Sequence, residues 1–258
     1  MKDIENVLKN VLTPFWFEKL YPVIIENDNY KYFFFDDNKF FPDINNRFNA
    51  VNSIKFDNTI KIVVFGQDPY PRKESATGYA FWDGKIKSWE NPLSPSFRNI
   101  IKSVLINEGF AVREDKIKEL RKIIKKNNIF SPDDFFKNSI ENGVVWLNAS
   151  LTFESKKQTD LNKHLKFWKP IIEKVIITIL KNSKNTIFVF WGGKSLKFQK
   201  FISDTEFNNY HFINNCHPML EQFHDKNTFE EIDKVLINSG EMKFNWLKKI
   251  THCVIKEI

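Results

Sequence analysis

The sequence has no apolar run that approaches the roughly 20 residues needed to cross a bilayer, so a membrane-spanning helix is not expected. It contains only two cysteines, Cys216 and Cys253, which are too few for a disulfide framework or a four-thiolate cluster. The first residues lack the basic-then-apolar order of a signal peptide. These absences predict a soluble protein with reduced thiols, in the cytoplasm or, in a eukaryote, the nucleus.

Internal repeats and linkers rich in glycine, serine or proline are also absent from the sequence. The 258 residues are 42% hydrophobic and include 27 Phe and 7 Trp, which is enough for one sizeable core. We therefore expect a single domain over 1–258, in which 1–44 form a helical extension packed on the core.

The formal net charge of +7 suits a polyanionic partner such as nucleic acid. An equally simple explanation is a gene rich in A and T, since Lys, Asn, Ile and Phe are all abundant together. Both explanations stay open at this point.

Four short apolar runs indicate strands at 61–65, 144–147, 186–191 and 210–214. Helical patterns occur at 14–25, 97–107, 113–126, 165–181, 195–202 and 228–238. Apolar strands separated by helices predict an α/β fold with a central four-stranded, mostly parallel sheet that helices cover on both faces. The basic, amphipathic segment 113–126 either faces a phosphate backbone or is a solvated surface helix.

Three of these strands run directly into polar turns, at 66–68, 148–150 and 215–217. A parallel sheet brings such turns together at its carboxyl edge, where ligands bind in α/β proteins. Pro69 and Pro71 restrict the residues before them, so Asp68 and Tyr70 are expected in extended or turn geometry. An ordinary solvated turn explains Asp and Pro here equally well.

The string from Gly66 to Pro71, Gly-Gln-Asp-Pro-Tyr-Pro, resembles the first signature of the family 1 uracil-DNA glycosylases. Further segments are similar to this family in order and spacing, over roughly 45–250: 47–51, 76–81, 92–100, 144–152, 188–194, 216–218 and 244–246. The resemblance implies the fold of that family and an enzyme that hydrolyses the N-glycosidic bond of deoxyuridine in DNA, starting base excision repair.

In this resemblance Asp68 and His217 are the catalytic residues. Asp68 would stabilise an oxocarbenium-like sugar and orient or deprotonate the attacking water. His217, if neutral, would donate a hydrogen bond to uracil O2 as negative charge develops there. A lone histidine after a strand also has a structural explanation.

The same resemblance assigns the base-binding residues. Asn148 would pair with O4 and N3–H of uracil and reject cytosine, whose edge presents the reverse pattern. Phe81 would stack on the base, Tyr70 would exclude the methyl group of thymine, and Gln67 would donate to the base. The base must leave the duplex to reach such residues, or the substrate is single-stranded. No cofactor and no metal is expected.

The resemblance also places a set of residues against DNA: Pro95, Ser96, Pro218, Met219 and Leu220. Met219, Leu220 and Phe223 are alternative wedges for the vacated base stack.

The departures from the family pattern fall in the loops that contact DNA. The loop 217–225 is short, lacks serine and is similar to that of the poxviral relatives. Pro71 stands where many members have His, and 72–75 replace a Gly-rich turn. The segment 113–126 looks like an insertion.

Uracil-containing DNA, single- or double-stranded, is therefore the expected partner of a monomeric enzyme. A protein inhibitor or a replication partner is a further candidate. Two alternative functions stay open: a glycosylase for another modified pyrimidine, and a catalytically weak DNA-binding or replication scaffold.

Overall fold

The computed structural model describes residues 3–35, 39–56, 60–193 and 196–247. A four-stranded sheet in the order β2-β1-β3-β4 lies at its centre, and its ladders are all parallel. The strands are β1 (Ile62–Gly66), β2 (Val144–Asn148), β3 (Thr186–Trp191) and β4 (Tyr210–Asn215). The predicted parallel sheet is confirmed, and each predicted strand lies within one residue of the observed bounds.

Helices surround this sheet in the described part of the chain. They are α1 (Ile4–Val11), α2 (Pro14–Ile25), α3 (Tyr30–Phe35), α4 (Asn49–Asn52), α5 (Pro95–Asn107), α6 (Ile117–Lys126), α7 (Pro132–Glu141), α8 (Gln158–Asn182), α9 (Leu196–Ser203) and α10 (Thr228–Asn238), with a 3₁₀ turn, η1, at Glu221–His224. Within the ranges that the structure describes, no helix combines the length and the apolar character required to span a membrane.

Strands β1, β2 and β3 are buried along their whole length, which explains why they are continuous apolar runs rather than alternating ones, whereas the edge strand β4 fully buries only Ile213. Along β1, Val63 and Phe65 join one core with α1, α2, α8 and α9. Ile62 and Val64 join a second core with α5, α6, α7 and α10. Burying each such side chain contributes about 1.5–3 kcal/mol, so the two cores together fix the sheet.

The N-terminal helices pack on the first of these cores through side chains that include Leu8 and Trp16. Asn52 at the end of α4 ties the junction of α1 and α2 to the core. Its Nδ2 donates to the Val11 carbonyl at 2.8 Å, and its Oδ1 accepts from the Thr13 amide at 3.1 Å.

Several helix boundaries differ from the expectation. Residues 113–116 form a turn rather than the start of a helix, because Asp115 Oδ2 accepts from the Val112 amide at 2.8 Å. Helix α8 begins at Gln158, seven residues before the predicted start at 165. Helix α7 was not predicted, and α1 and α3 were predicted only as part of the helical extension 1–44. Cys253, Lys194 and Ser195 lie outside the described residues.

Candidate active site

A pocket of about 260 Å³ opens at the carboxyl edge of the sheet, where β1 and β2 end. It brings together all of the predicted catalytic and base-binding residues and two of the predicted DNA contacts. The lining consists of Gly66, Gln67, Asp68, Pro69, Tyr70, Pro71, Phe81, Ser96, Asn148, His217 and Met219. The other predicted DNA contacts, Pro95, Pro218 and Leu220, are not among the lining residues.

Asn148 is the last residue of β2 and pairs with Gly66 of β1 in the parallel ladder. Its side chain is 2% exposed. A Cβ atom on Gly66 would lie 2.3 Å from Asn148 Oδ1 and 2.8 Å from the Cβ of Ala80, so only glycine leaves room for the carboxamide. No described residue hydrogen-bonds the Asn148 carboxamide, which leaves its donor and its acceptor to a ligand.

Asp68 follows β1 by two residues and is half-buried at the pocket. Gln67 Nε2 donates to Asp68 Oδ2 at 2.8 Å. The backbone before it continues the ladder beyond the strand, because the Ser150 amide donates to the Gln67 carbonyl at 3.0 Å. The carboxylate is therefore aimed by backbone that the sheet itself fixes.

Tyr70 is held between two loops by its hydroxyl group. The hydroxyl donates to the Phe81 carbonyl at 3.3 Å and lies 3.2 Å from Ser94 Oγ. Ser94 is also the N-cap of α5, where its Oγ accepts from the Phe97 amide at 3.3 Å. Burial raises the pKa of Tyr70 to about 12, so the ring stays a neutral phenol at physiological pH.

Phe81 combines pocket lining with core packing. It is 9% exposed, and its ring packs edge-on against Trp191 with a centroid distance of 5.2 Å. Its φ of 62° lies in the left-handed region, which is unusual for a residue with a bulky side chain. Such strain persists where the surroundings determine the conformation, and it often marks a functional position.

His217 lies across the pocket as a neutral imidazole with a defined tautomer. Burial lowers its pKa below the ordinary value of 6.5. The Met219 amide donates to His217 Nδ1 at 3.1 Å, so the neutral ring carries its proton on Nε2. Gly192, with a φ of 95°, makes room for this ring, since a Cβ there would lie 3.3 Å from the Cβ of His217.

The loop after His217 is anchored by a residue that the sequence reasoning missed. Asn99 Nδ2 donates to the Pro218 carbonyl at 2.7 Å, across 119 positions of the chain. Phe223 is 1% exposed and packs in the core, so it does not act as a wedge. Met219 and Leu220 are 60% and 48% exposed and remain the two candidates for that role.

No protein-family model matches this chain. The uracil-DNA glycosylase of Borreliella burgdorferi strain ZS7 is 32% identical over 203 residues, which cover 78% of this chain and 77% of that protein. This chain belongs to the uracil-DNA glycosylase family. The uracil-DNA glycosylase of Bacillus cereus strain B4264 is 27% identical over 254 residues, covering 94% of this chain and 98% of that protein. The predicted family membership is thus confirmed.

Solved structures of the uracil-DNA glycosylase family share the fold. The wild-type UNG crystal structure from Nitratifractor salsuginis superposes with a TM-score of 0.71 at 25% identity, over 87% of this chain and 92% of that chain. The mimivirus uracil-DNA glycosylase superposes with a TM-score of 0.66 at 16% identity, over 93% of this chain and 88% of that one. The predicted fold class is confirmed by both.

Proposed function

We propose that this protein releases uracil from DNA by hydrolysing the bond between N1 of the base and C1′ of deoxyribose. The observation that carries the proposal is one small pocket in which Asp68, Asn148 and a neutral His217 converge. Membership of the uracil-DNA glycosylase family supports it independently.

Base recognition rests on the buried carboxamide of Asn148. Its Nδ2 donates to uracil O4, and its Oδ1 accepts from N3–H. Cytosine presents a donor at the exocyclic position and an acceptor at N3, so a carboxamide in this orientation repels it. Phe81 stacks on the base, and the base reaches the pocket by flipping out of the helix or from a single strand.

Tyr70 sets the size limit at C5 of the base. Because its hydroxyl bonds to two loops, the ring does not swing away from a methyl group or a larger substituent. This favours uracil over thymine and over C5-modified pyrimidines. The pocket therefore argues against the alternative of a glycosylase for larger bases.

Bond cleavage places opposite charges on the two fragments. The electron pair of the C1′–N1 bond leaves with the base, which becomes a uracil anion, and C1′ becomes cationic. His217 Nε2–H donates to uracil O2 as the negative charge develops, and Asp68 stabilises the cationic sugar. Water adds to C1′, and its proton passes to the Asp68 carboxylate, which acts as general base.

Other properties of the protein stay predictions. A mimivirus UNG variant has been solved in complex with UGI, and we propose UGI as a candidate partner of this chain. A monomeric state and a cytoplasmic location are expected from the sequence. Activity on single- and double-stranded DNA belongs to the same proposal.

The test is an end-labelled oligonucleotide with one central deoxyuridine, incubated with the protein and then treated with alkali. Matched oligonucleotides carry cytosine, thymine or a C5-modified uracil, each in single- and double-stranded form. We expect cleavage at uracil alone, and cleavage at least about 10²-fold slower with an Asp68→Asn preparation, which controls for a contaminating glycosylase. Release of the C5-modified base without uracil would support the alternative base, and DNA binding without any release would support the scaffold.

A further inference from the structure

A second groove, of about 540 Å³, lies beside the uracil pocket between α5, the turn at 113–117 and η1. Met219 lines both the groove and the pocket, so the two share a wall. A DNA strand whose uridine occupies the pocket must continue on either side of it. The groove is one available path for that continuation.

Four cationic side chains line the groove: Arg98, Lys102, Arg113 and Lys116. Arg113 pairs with Asp225, whereas Arg98 and Lys116 are exposed and have no acidic or carbonyl partner among the described residues. Lys102 Nζ donates to the Arg113 carbonyl but reaches no described carboxylate. Burial is the main cause that lowers the pKa of Lys102, and the carboxylates of Asp115, Glu114 and Glu221 act in the opposite direction.

Two of these cations, Arg98 and Lys102, share one face of α5. Ser96 on the first turn of α5 lines the uracil pocket, but it lies two residues before Arg98 and therefore projects from a different face of the helix. Residues four apart lie on one helix face, about 6 Å apart along the axis. Successive phosphates of one strand can therefore meet successive side chains of α5.

The groove also contains carboxylates, which limit how many phosphates it accepts. Asp115 already accepts the Val112 amide in its own turn. Glu114 and Glu221 line the groove without a described cationic partner within ion-pair distance. A long polyanion along the whole groove would meet these charges, whereas a short path along α5 uses Arg98 and Lys102.

We propose that Arg98 and Lys102 bind two phosphates of the DNA strand on one side of the flipped uridine. The proposal rests on the proposed function, since it takes the uracil pocket as the site of the flipped base. The two phosphate contacts would add to the DNA contacts of the short loop 217–225, and that loop contains no serine.

The first test measures binding without chemistry. Fluorescence anisotropy with a uracil-free thymidine oligonucleotide gives the slope of log K against log salt concentration for wild type and for Arg98→Gln/Lys102→Gln. Loss of two phosphate contacts to a single strand makes this negative slope shallower by about 1.4. The matched control is Lys166→Gln/Lys174→Gln, two exposed lysines of α8 on the opposite face of the sheet, which we expect to leave the slope unchanged. An unchanged slope in Arg98→Gln/Lys102→Gln overturns the proposal, and so does a slope that becomes equally shallow in the control.

The second test uses uracil release to find the side of the uridine that matters. A minimal deoxyuridine oligonucleotide is compared with versions extended by four nucleotides on the 5′ or the 3′ side. We expect one extension to raise kcat/KM at least fivefold in wild type, and this gain to disappear in Arg98→Gln/Lys102→Gln but to persist in Arg98→Lys/Lys102→Arg. A gain that persists in Arg98→Gln/Lys102→Gln, the variant without the two positive charges, overturns the proposal. Absence of uracil release in wild type would refute the proposed function, while the anisotropy result would still decide the phosphate contacts.

Discussion

The floor of the uracil pocket is formed by Gly66, Tyr70, Phe81 and Asn148. The rim is the exposed surface beside the pocket and consists of Pro95, Met219 and Leu220. The two regions differ most in burial. On the floor, Asn148 is 2% and Phe81 9% exposed, whereas on the rim Met219 is 60% and Leu220 48% exposed. The floor is built on strand ends and on a hydroxyl group bonded to two loops. The rim is built on exposed loop and helix-end residues.

The difference in burial leads us to expect that the floor and the rim have different functions. Fixed donors in a site shielded from water act strongly on developing charge, so the proposed function assigns base choice and bond cleavage to the floor together with Asp68 and His217. Exposed groups act through contacts to phosphate and base stack that salt weakens. We therefore expect variants of the shielded groups to change catalysis on any DNA, and rim variants to change how duplex DNA is handled.

The largest effect is expected for Asp68→Asn, which removes the carboxylate that the proposed mechanism uses as its general base. We expect kcat for uracil release to fall about 10²- to 10⁴-fold. Steady-state kinetics on a single-stranded substrate measure it. Asp204→Asn, at an exposed position after α9, is the matched control. A kcat within about threefold of wild type would contradict the assignment of Asp68.

The next effect is expected for His217→Gln, at about 10²- to 10³-fold in kcat, the usual loss when one such donor is removed. The pKa of His217 is lowered below 6.5, so the imidazole stays neutral as the pH falls through 6.5. Only at lower pH does protonation place a proton on Nδ1 and break the bond from the Met219 amide.

The pH profile of kcat/KM, which reports groups of the free enzyme, separates this histidine from the other groups. In wild type, the inflection due to the imidazole should lie below pH 6.5, and it should be absent from the His217→Gln profile. An inflection above 6.5 that disappears in the variant would show that His217 is not the neutral donor described above.

A backbone position on the floor gives the third effect. In Gly66→Ala the added Cβ displaces the Asn148 carboxamide, and we expect kcat/KM for uracil to fall about 10²-fold, as misplacement by about 1 Å can do. Gly193→Ala is the control, because its added Cβ meets no atom within 4 Å. Circular dichroism checks that both variants fold. Equal kcat/KM values for the two variants would show that the space left by Gly66 is not needed to position the Asn148 carboxamide.

The smallest effect sharpens the boundary between floor and rim. Ser94→Ala removes the N-cap of α5 and one partner of the Tyr70 hydroxyl, and we expect about 1 kcal/mol lower stability in urea denaturation. Ser131→Ala is the matched control, because it removes the N-cap of α7, where Ser131 Oγ accepts from the Asp134 amide at 3.2 Å. The two losses should be similar, but only Ser94→Ala should alter thymine exclusion. If both variants exclude thymine equally well, Ser94 does not contribute to base selection through the Tyr70 hydroxyl.

Much of the fold and site was predictable because the signals are local. Strands β1, β2 and β3 are apolar runs buried on both faces, and the polar residues after β1 and β2 mark the sheet edge. The start of α8 was missed because its first turns are polar, as in Gln158 to Lys163, and carry no apolar stripe.

Other features depend on contacts between distant positions. The bond from Asn99 to Pro218 and the burial of Phe223 against Trp191 appear only when the chain is folded. The left-handed backbone of Phe81 has no local sequence signal either, since glycine is the usual residue there. These contacts decide which residues of the loop after His217 are buried and which are exposed.

The separation of floor and rim is tested most directly by single-turnover rates of uracil release at saturating enzyme. The two variants are Asn148→Ala on the floor and Leu220→Ala on the rim, each with single-stranded and duplex DNA. The account predicts that Asn148→Ala slows both forms by a similar factor, about 10²-fold. Leu220→Ala should slow release from the duplex more than from the single strand. An equal slowing of both forms by Leu220→Ala, or a slowing by Asn148→Ala confined to the duplex, would contradict it.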